Sequence, residues 1–111
     1  MIRQKSIIIF LIIFFGVLFF AKSSWATTYY VSTTGNDSNS GTQSLPWRTI
    51  QKAANIMVAG DTTIVDAGMY NERVQVTKSG SSSAPIIYQA QGTVVMKGFK
   101  IIANYIKHIR I

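Results

Sequence analysis

Apolar and polar positions change pattern several times along this chain. Ile7 through Ala21 is an apolar run of 15 residues interrupted only by Gly16. After a short gap, Tyr29-Tyr30-Val31 is an aromatic and β-branched stretch that predicts a strand. From Ser32 to Ser44 nearly every residue is Ser, Thr, Asn, Asp or Gly. Asn36, Asp37 and Asn39 can accept from their own downstream amides, and Gly35 and Gly41 can supply positive φ. The shortness of this loop and its apolar flanks predict a compact form. Ile50, Ala53, Ala54 and Met57 then fall at i, i+3, i+4 and i+7, one stripe of a helix. Thr49 is its expected N-cap, Pro46 stands upstream where a missing N–H is harmless, and Gly60 is expected to end it. A helix this short must dock to persist.

Beyond Asp61 the pattern becomes strand-like and recurs. Thr62–Val65 is expected to close at an Ala67-Gly68 turn. Arg73–Val76 alternates, residues 78–83 form a polar loop, and Pro85–Tyr88 leads through a Gln91-Gly92 turn to Thr93–Met96. The last run is Ile106–Ile111. Ile64, Ile87 and Ile109, taken as strand centres, are 23 and 22 residues apart, and the intervening Val74 and Val94 are separated by 20. Such a period suits a β-solenoid with one coil per repeat. An ordinary antiparallel domain of evenly spaced hairpins has the same spacing. The helix favours the solenoid, because the exposed end of a stacked core needs an amphipathic cover. The Trp47–Met57 segment is therefore expected to lid the first coil, with the polar loop carrying the chain onto it from Tyr29–Val31.

The front of the chain bears on compartment. Arg3 and Lys5 precede the apolar run, and Ser24-Trp25-Ala26 follows it with small residues at the two positions a signal peptidase inspects. The rival, an uncleaved anchor, would need about 20 residues to span a bilayer. Residues 1–26 are thus expected to be a signal peptide, 27–61 a strand, polar loop and capping helix, and 62–111 the first two or so coils. The expected location is extracellular or periplasmic, with no membrane association after cleavage. Arg3, Lys5 and Lys22 leave with the leader, so 11 cations fall to 8 against 4 carboxylates, a net charge of +4. There is no cysteine, which excludes a disulfide scaffold and a lipid-anchoring cysteine.

Several segments together carry a resemblance. Tyr30-Val31-Ser32, the run from Gly35 to Thr42, the run from Pro46 to Ala53, Ala59-Gly60-Asp61-Thr62 and Gly68-Met69-Tyr70-Asn71-Glu72 resemble the amino-terminal cap and first coil of secreted right-handed parallel β-helix proteins. Pectate lyases of polysaccharide lyase family 9 and chondroitinase-like lyases begin in this manner. The resemblance spans roughly residues 29–111 and implies an all-β fold, a right-handed parallel β-helix with a short capping α-helix. It is unspecific for activity, because the same cap precedes lyases, hydrolases and surface proteins without known catalysis. In the lyases, calcium-binding aspartates and a basic Lys or Arg lie on central coils. No position here matches them, so the resemblance implies no catalytic or metal-binding residue in these 111 residues, and Ca²⁺ only for a full-length protein. Ile109 and Ile111 alternate as a buried strand would, with no turn after them. The chain is accordingly expected to be the leading fragment of a longer protein.

Candidate chemistry has a plain structural reading at each position. Asp37-x-Asn39-x-Gly41 offers oxygens at alternate positions, as a calcium loop does, but lacks the later bidentate Glu and is equally a set of Asx turns. Asp61, Asp66 and Glu72 could supply an acid–base pair for glycoside cleavage, or simply sit at turns. His108 is the single histidine, with no visible partner. After Glu72 there is no carboxylate, while Arg73, Lys78, Lys97, Lys100, Lys107 and Arg110 follow. Stacked coils could gather some of these into a face that attracts a polyanion, or they could be solvated guards of a strand edge. An exported protein meets polyuronates and sulfated glycans more often than nucleic acid. Tyr70, Tyr88 and Tyr105 could stack on sugar rings or pack within a coil.

Two functions from different classes remain. One is the opening of a secreted enzyme acting on an acidic polysaccharide, where calcium would neutralise a uronate and a downstream base would take the C5 proton. The other is a non-catalytic extracellular β-helix that binds glycan or serves as a scaffold.

Overall fold

The computed structural model describes residues 26–110, with side chains as far as His108. The signal-peptide reading of residues 1–26 (all but Ala26) and the terminal Ile111 lie outside the described residues, as does the reading of the Ile109 side chain as buried. Strand β1 is Thr28–Val31, helix α1 is Ile50–Ile56, β2 is Thr62–Val76, β3 is Ile86–Ile101 and β4 is Ile106–Arg110. The strands form one sheet in the order β1-β2-β3-β4, and every neighbouring pair is parallel. Hairpins would have made these pairs antiparallel. The chain instead returns to the start of each strand before laying the next upon it, and so winds as a parallel β-helix.

β2 and β3 are nearly equal in length, at 15 and 16 residues, and the loops that follow them differ. Thr62 lies opposite Ile87 and Val76 opposite Ile101, both 25 residues on, whereas Ile86 lies opposite Ile106, only 20 residues on. The loop 77–85 is five residues longer than the loop 102–105. This corrects the register expected from the sequence. Ile64 lies opposite Gln89 rather than Ile87, and Val74 lies opposite Phe99, while Val94 pairs with Gly68. The turns expected at Ala67-Gly68 and Gln91-Gly92 are not breaks between strands. They are bends inside β2 and β3, where the register shifts between Asp66 and Gly68 while the ladder continues. Thr63 and Val65 point inward before the bend and Tyr70 after it, an odd separation that requires one extra residue at the corner.

At the front of the solenoid the exposed edge of β1 is closed by the polar loop. The Tyr30 amide donates to the Gly41 carbonyl at 2.8 Å, the Trp47 amide to the Tyr30 carbonyl at 2.9 Å, and the Ser32 amide to the Trp47 carbonyl at 2.8 Å. The Trp47 indole stacks on Tyr29 with centroids 4.7 Å apart and donates its N–H to the Asn39 carbonyl at 2.8 Å. Gly41 does take positive φ (83°), and a Cβ there would lie 2.7 Å from the indole. Gly35 has a different role from the one expected. Its φ is not positive; a Cβ would run into the Trp47 carbonyl oxygen, so the position demands the absence of a side chain.

Helix α1 covers the first rung as the stripe predicts, with Ile50, Ala53, Ala54 and Met57 all buried. Full burial of side chains such as Ile50 and Met57 contributes about 1.5–3 kcal/mol each. Thr49 is the N-cap, its hydroxyl accepting from the Lys52 amide at 3.2 Å. The C-terminus is a correction. The helix ends at Ile56, Met57 is already extended, and Gly60 takes its positive φ in a later turn that delivers Asp61 to β2.

The core runs from Val31 and Trp47 through the helix stripe into Val65, Tyr70, Val74 and Val76 of the first rung and Ile86 and Tyr88 of the second. Val94, Met96 and Phe99 of β3 are only half-buried against it. No helix among the described residues is long and apolar enough to cross a membrane.

Candidate functional site

The carboxylates flagged by the sequence mostly serve the backbone. Asp37 reaches from the polar loop to the start of the helix. Its Oδ1 accepts from the Arg48 and Thr49 amides, both at 2.9 Å, and its Oδ2 from the Thr49 hydroxyl at 2.7 Å. Partial burial pushes the Asp37 carboxyl up, but the Thr49 hydroxyl, the Thr49 and Arg48 amides and the nearby Lys52 outweigh it and hold the group below its ordinary 3.8. Glu72 approaches the same helix from β2. Its two oxygens accept from the Ile50 and Gln51 amides at 2.9 and 3.0 Å, so the helix start is saturated from two elements. Asp61, buried beyond the helix end, accepts from the Thr27 amide and the Val58 amide at 3.0 Å each.

These contacts decide between the readings of those residues. Asn36 accepts from the Ser38 amide at 2.8 Å and Asn39 donates to the Pro46 carbonyl at 2.9 Å, so the loop is built of Asx turns and side-chain ties. The residues present do not fit a calcium ion: the Asp37 oxygens face amide and hydroxyl donors, and no group of three His, Cys, Asp or Glu among the described residues is placed to hold a metal. Asp61 and Glu72 sit at opposite ends of α1 rather than across a cleft. Asp66 is exposed. Nothing in the one-dimensional pattern shows that Glu72 caps a helix 22 residues earlier, since the tie depends on how the rung lies under it.

A cavity of about 700 Å³ opens at the other end of the solenoid, lined by Val65, Tyr88, Val94, Met96, Phe99 and His108 among others. His108 stacks on Phe99 at 4.2 Å, and Tyr88 meets Phe99 edge-on at 5.1 Å. Burial pushes His108 down from its ordinary 6.5 and Tyr88 up to about 12. Most of the lining comes from β3, joined by Ile50 of the helix, Val65 of β2 and His108 of β4, and β4 overlies only Ile86–Ala90 of β3. It is thus a cross-section of the core, and His108 packs on rings within it rather than facing an acid or a nucleophile.

The aromatic and cationic candidates separate as well. Tyr70 is buried, donates its hydroxyl to the Asp66 carbonyl at 2.8 Å and is pushed up to about 12 by that burial, with the Arg48 guanidinium 5.8 Å from its ring centroid. Tyr88 is core. Only Tyr105, at 57% exposed, is open to a partner. Among the cations, Lys78 lies in the loop 77–85, and Lys107 of β4 lies opposite Ile87 of β3. Arg73, Lys97 and Lys100 come together on the outer wall where β2 and β3 turn a corner, since Arg73 lies opposite Gly98 and Gln75 opposite Lys100. The exposed apolar pair Met69 and Val95 stands beside them, unmarked by any sequence pattern.

Comparison with known proteins fits this geometry. A family described as a protein of unknown function, DUF1565, matches residues 33–104. Pectate lyase PEL9 of Emericella nidulans is 36% identical over 88 residues, which are 78% of this chain and 20% of that protein. Two solved structures are similar: one titled rhamnogalacturonan lyase, with TM-score 0.66 and 26% identity over 74% of this chain and 27% of that one, and one titled the complex structure of XylC with xylose, with TM-score 0.58 and 43% identity over 60% of this chain and 11% of that one. The chain therefore spans about a tenth to a quarter of the length of these proteins.

Proposed function

This chain belongs to the DUF1565 family, with a pectate lyase-like β-helix fold, and on that premise we propose that it forms the capped opening coils of a protein that acts on or binds polysaccharide outside the cell. The observation that carries this reading is the 36% identity to a pectate lyase over 88 residues, 78% of this chain. The proposed ligand is an acidic polysaccharide, supported by the excess of cations after Glu72. Bond cleavage is not assigned to any residue of these coils, because Asp37, Asp61 and Glu72 are bound to amides. A purely binding or scaffolding β-helix is the second reading, and the same amide-bound carboxylates favour it.

The test is retention of the chain on immobilised polygalacturonate, together with ultraviolet absorbance of unsaturated products, with and without added calcium. Binding without turnover is expected. Turnover by these 111 residues, or the absence of binding to any polysaccharide, overturns the reading.

A further inference from the structure

We propose that the outer corner made by residues 69–75 of β2 and 95–100 of β3 is a binding site for one acidic polysaccharide chain. Arg73, Lys97 and Lys100 pair its carboxylates, and Met69 and Val95 lie under the apolar faces of its rings. The inference rests on the polysaccharide reading above and deepens it by naming the face.

Four observations converge on this corner. First, Arg73, Lys97 and Lys100 are all exposed, and the register sets them within two stacked rungs, roughly 5 Å apart across the sheet and about 10 Å along β3. A single small anion reaches only part of that spread, whereas a chain with repeating carboxylates follows it. Second, the carboxylate nearest in sequence, Glu72, is turned away and bound to the Ile50 and Gln51 amides, so it does not neutralise its neighbour Arg73. Third, β3 bends at Gly98, and a Cβ built there would touch the Arg73 Nη1 at 3.6 Å. The Arg73 guanidinium therefore lies beside Gly98, a residue between the two lysines along β3. Fourth, Met69 (71% exposed) and Val95 (49% exposed) lie opposite each other on the limb that leads into the corner, with Val95 two residues before Lys97.

The chemistry of the wall selects the class of partner. Single-stranded nucleic acid is held by stacking on aromatic side chains as well as by charge. The outward positions here are Met69, Asn71, Arg73, Gln75, Val95, Lys97 and Lys100, with no aromatic among them. Aliphatic groups flanked by amides and cations suit a pyranose chain bearing carboxylates. Asp66, exposed beyond the Gly68 bend, marks the end at which an anionic chain stops being welcome.

The experiment compares the 111-residue chain with two triple variants of equal charge loss: Arg73→Gln/Lys97→Gln/Lys100→Gln at the corner, and Lys52→Gln/Lys78→Gln/Lys107→Gln away from it. Affinity for polygalacturonate is measured by calorimetry at low salt, with thermal melts to show that each variant is folded. The corner variant is expected to bind at least about tenfold more weakly, and the control within about threefold of wild type. If the corner triple does not fold, Lys97→Gln/Lys100→Gln is read in its place. Equal weakening by both triples overturns the site while leaving the polysaccharide reading intact. Failure of the unmodified chain to bind polygalacturonate overturns the acidic-ligand reading itself. A single-stranded oligonucleotide bound as tightly through the same three cations overturns the choice of glycan.

Discussion

The first and last of the described coils are built from the same parallel ladder, yet other elements of the chain cover them differently. At the front, the edge of β1 donates and accepts to Gly41 and Trp47, and the edge of β2 beyond β1 is met by the helix. There the Gln51 side-chain amide accepts from the Gln75 amide at 2.8 Å and donates to the Gln75 carbonyl at 3.0 Å, standing in for a peptide group of a preceding rung. At the back, β4 overlies only Ile86–Ala90, and Val94, Met96 and Phe99 face a cavity. A buried edge without partners loses about 1–3 kcal/mol for each orphaned group, so the front needs its loop and helix for stability rather than for chemistry. The contrast explains why the residues with the most suggestive chemistry, Asp37 and Glu72, turn out to be ties, while the unspecialised-looking surface cations remain free to meet a ligand.

If the front is the rigid half, replacement there should be more damaging than at the back. Trp47→Ala removes a buried indole, its stack on Tyr29 and its hydrogen bond, and is expected to destabilise by about 4 kcal/mol in urea unfolding. The methionines give a matched pair: Met57, fully buried under the cap, is expected to lose about 3 kcal/mol on change to Ala, and half-buried Met96 about 1 kcal/mol. Equal losses would mean that the back is as tightly packed as the front.

Acid should separate the halves a second time. His108 at the back is held below its ordinary 6.5 by burial, so the unfolded chain binds its proton first and stability falls as pH drops below about 6.5. Asp37 at the front is held below 3.8, so its contribution persists above that value and is lost only as pH falls through its lower, folded value. Melting temperature against pH should therefore decline in two windows, the upper one abolished by His108→Gln and the lower one reduced by Asp37→Asn. A single shared window for both variants would contradict the assignment.

The smallest expected effect is a gain. The Thr63 hydroxyl is buried in the first rung without a hydrogen-bond partner, and Thr63→Val keeps its shape while removing that group. An increase of about 1 kcal/mol is expected by the same unfolding measurement. No change would indicate that the hydroxyl is satisfied in solution.

Much of the front was legible in the residues because it is made of local rules. The stripe from Ile50 to Met57, the Thr49 cap and the Asx turns all involve partners within a few positions, where spacing fixes geometry. The repeat of strands was legible too, since strand propensity and inward–outward alternation are written along each rung. The exact partner of each residue was not. Loops of unequal length moved Ile64 from Ile87 to Gln89, and a ladder hydrogen-bonded on both sides of a bend carried the strand through Gly68 and Gly92, where a hairpin would have ended.

The residues and the resemblance they carry thus pointed to the class of the fold, the capped front and the cationic character of the later coils, and the parallel ladder decided against hairpins. The assembled coil settled the rest: the roles of Asp37, Asp61 and Glu72, the corner that gathers Arg73, Lys97 and Lys100, and the uncovered bore around Phe99. Each of these depends on which backbone lies one rung above or below. That neighbour is set by loop length and by the corner register shifts, and neither follows from the hydrophobic pattern along the strand.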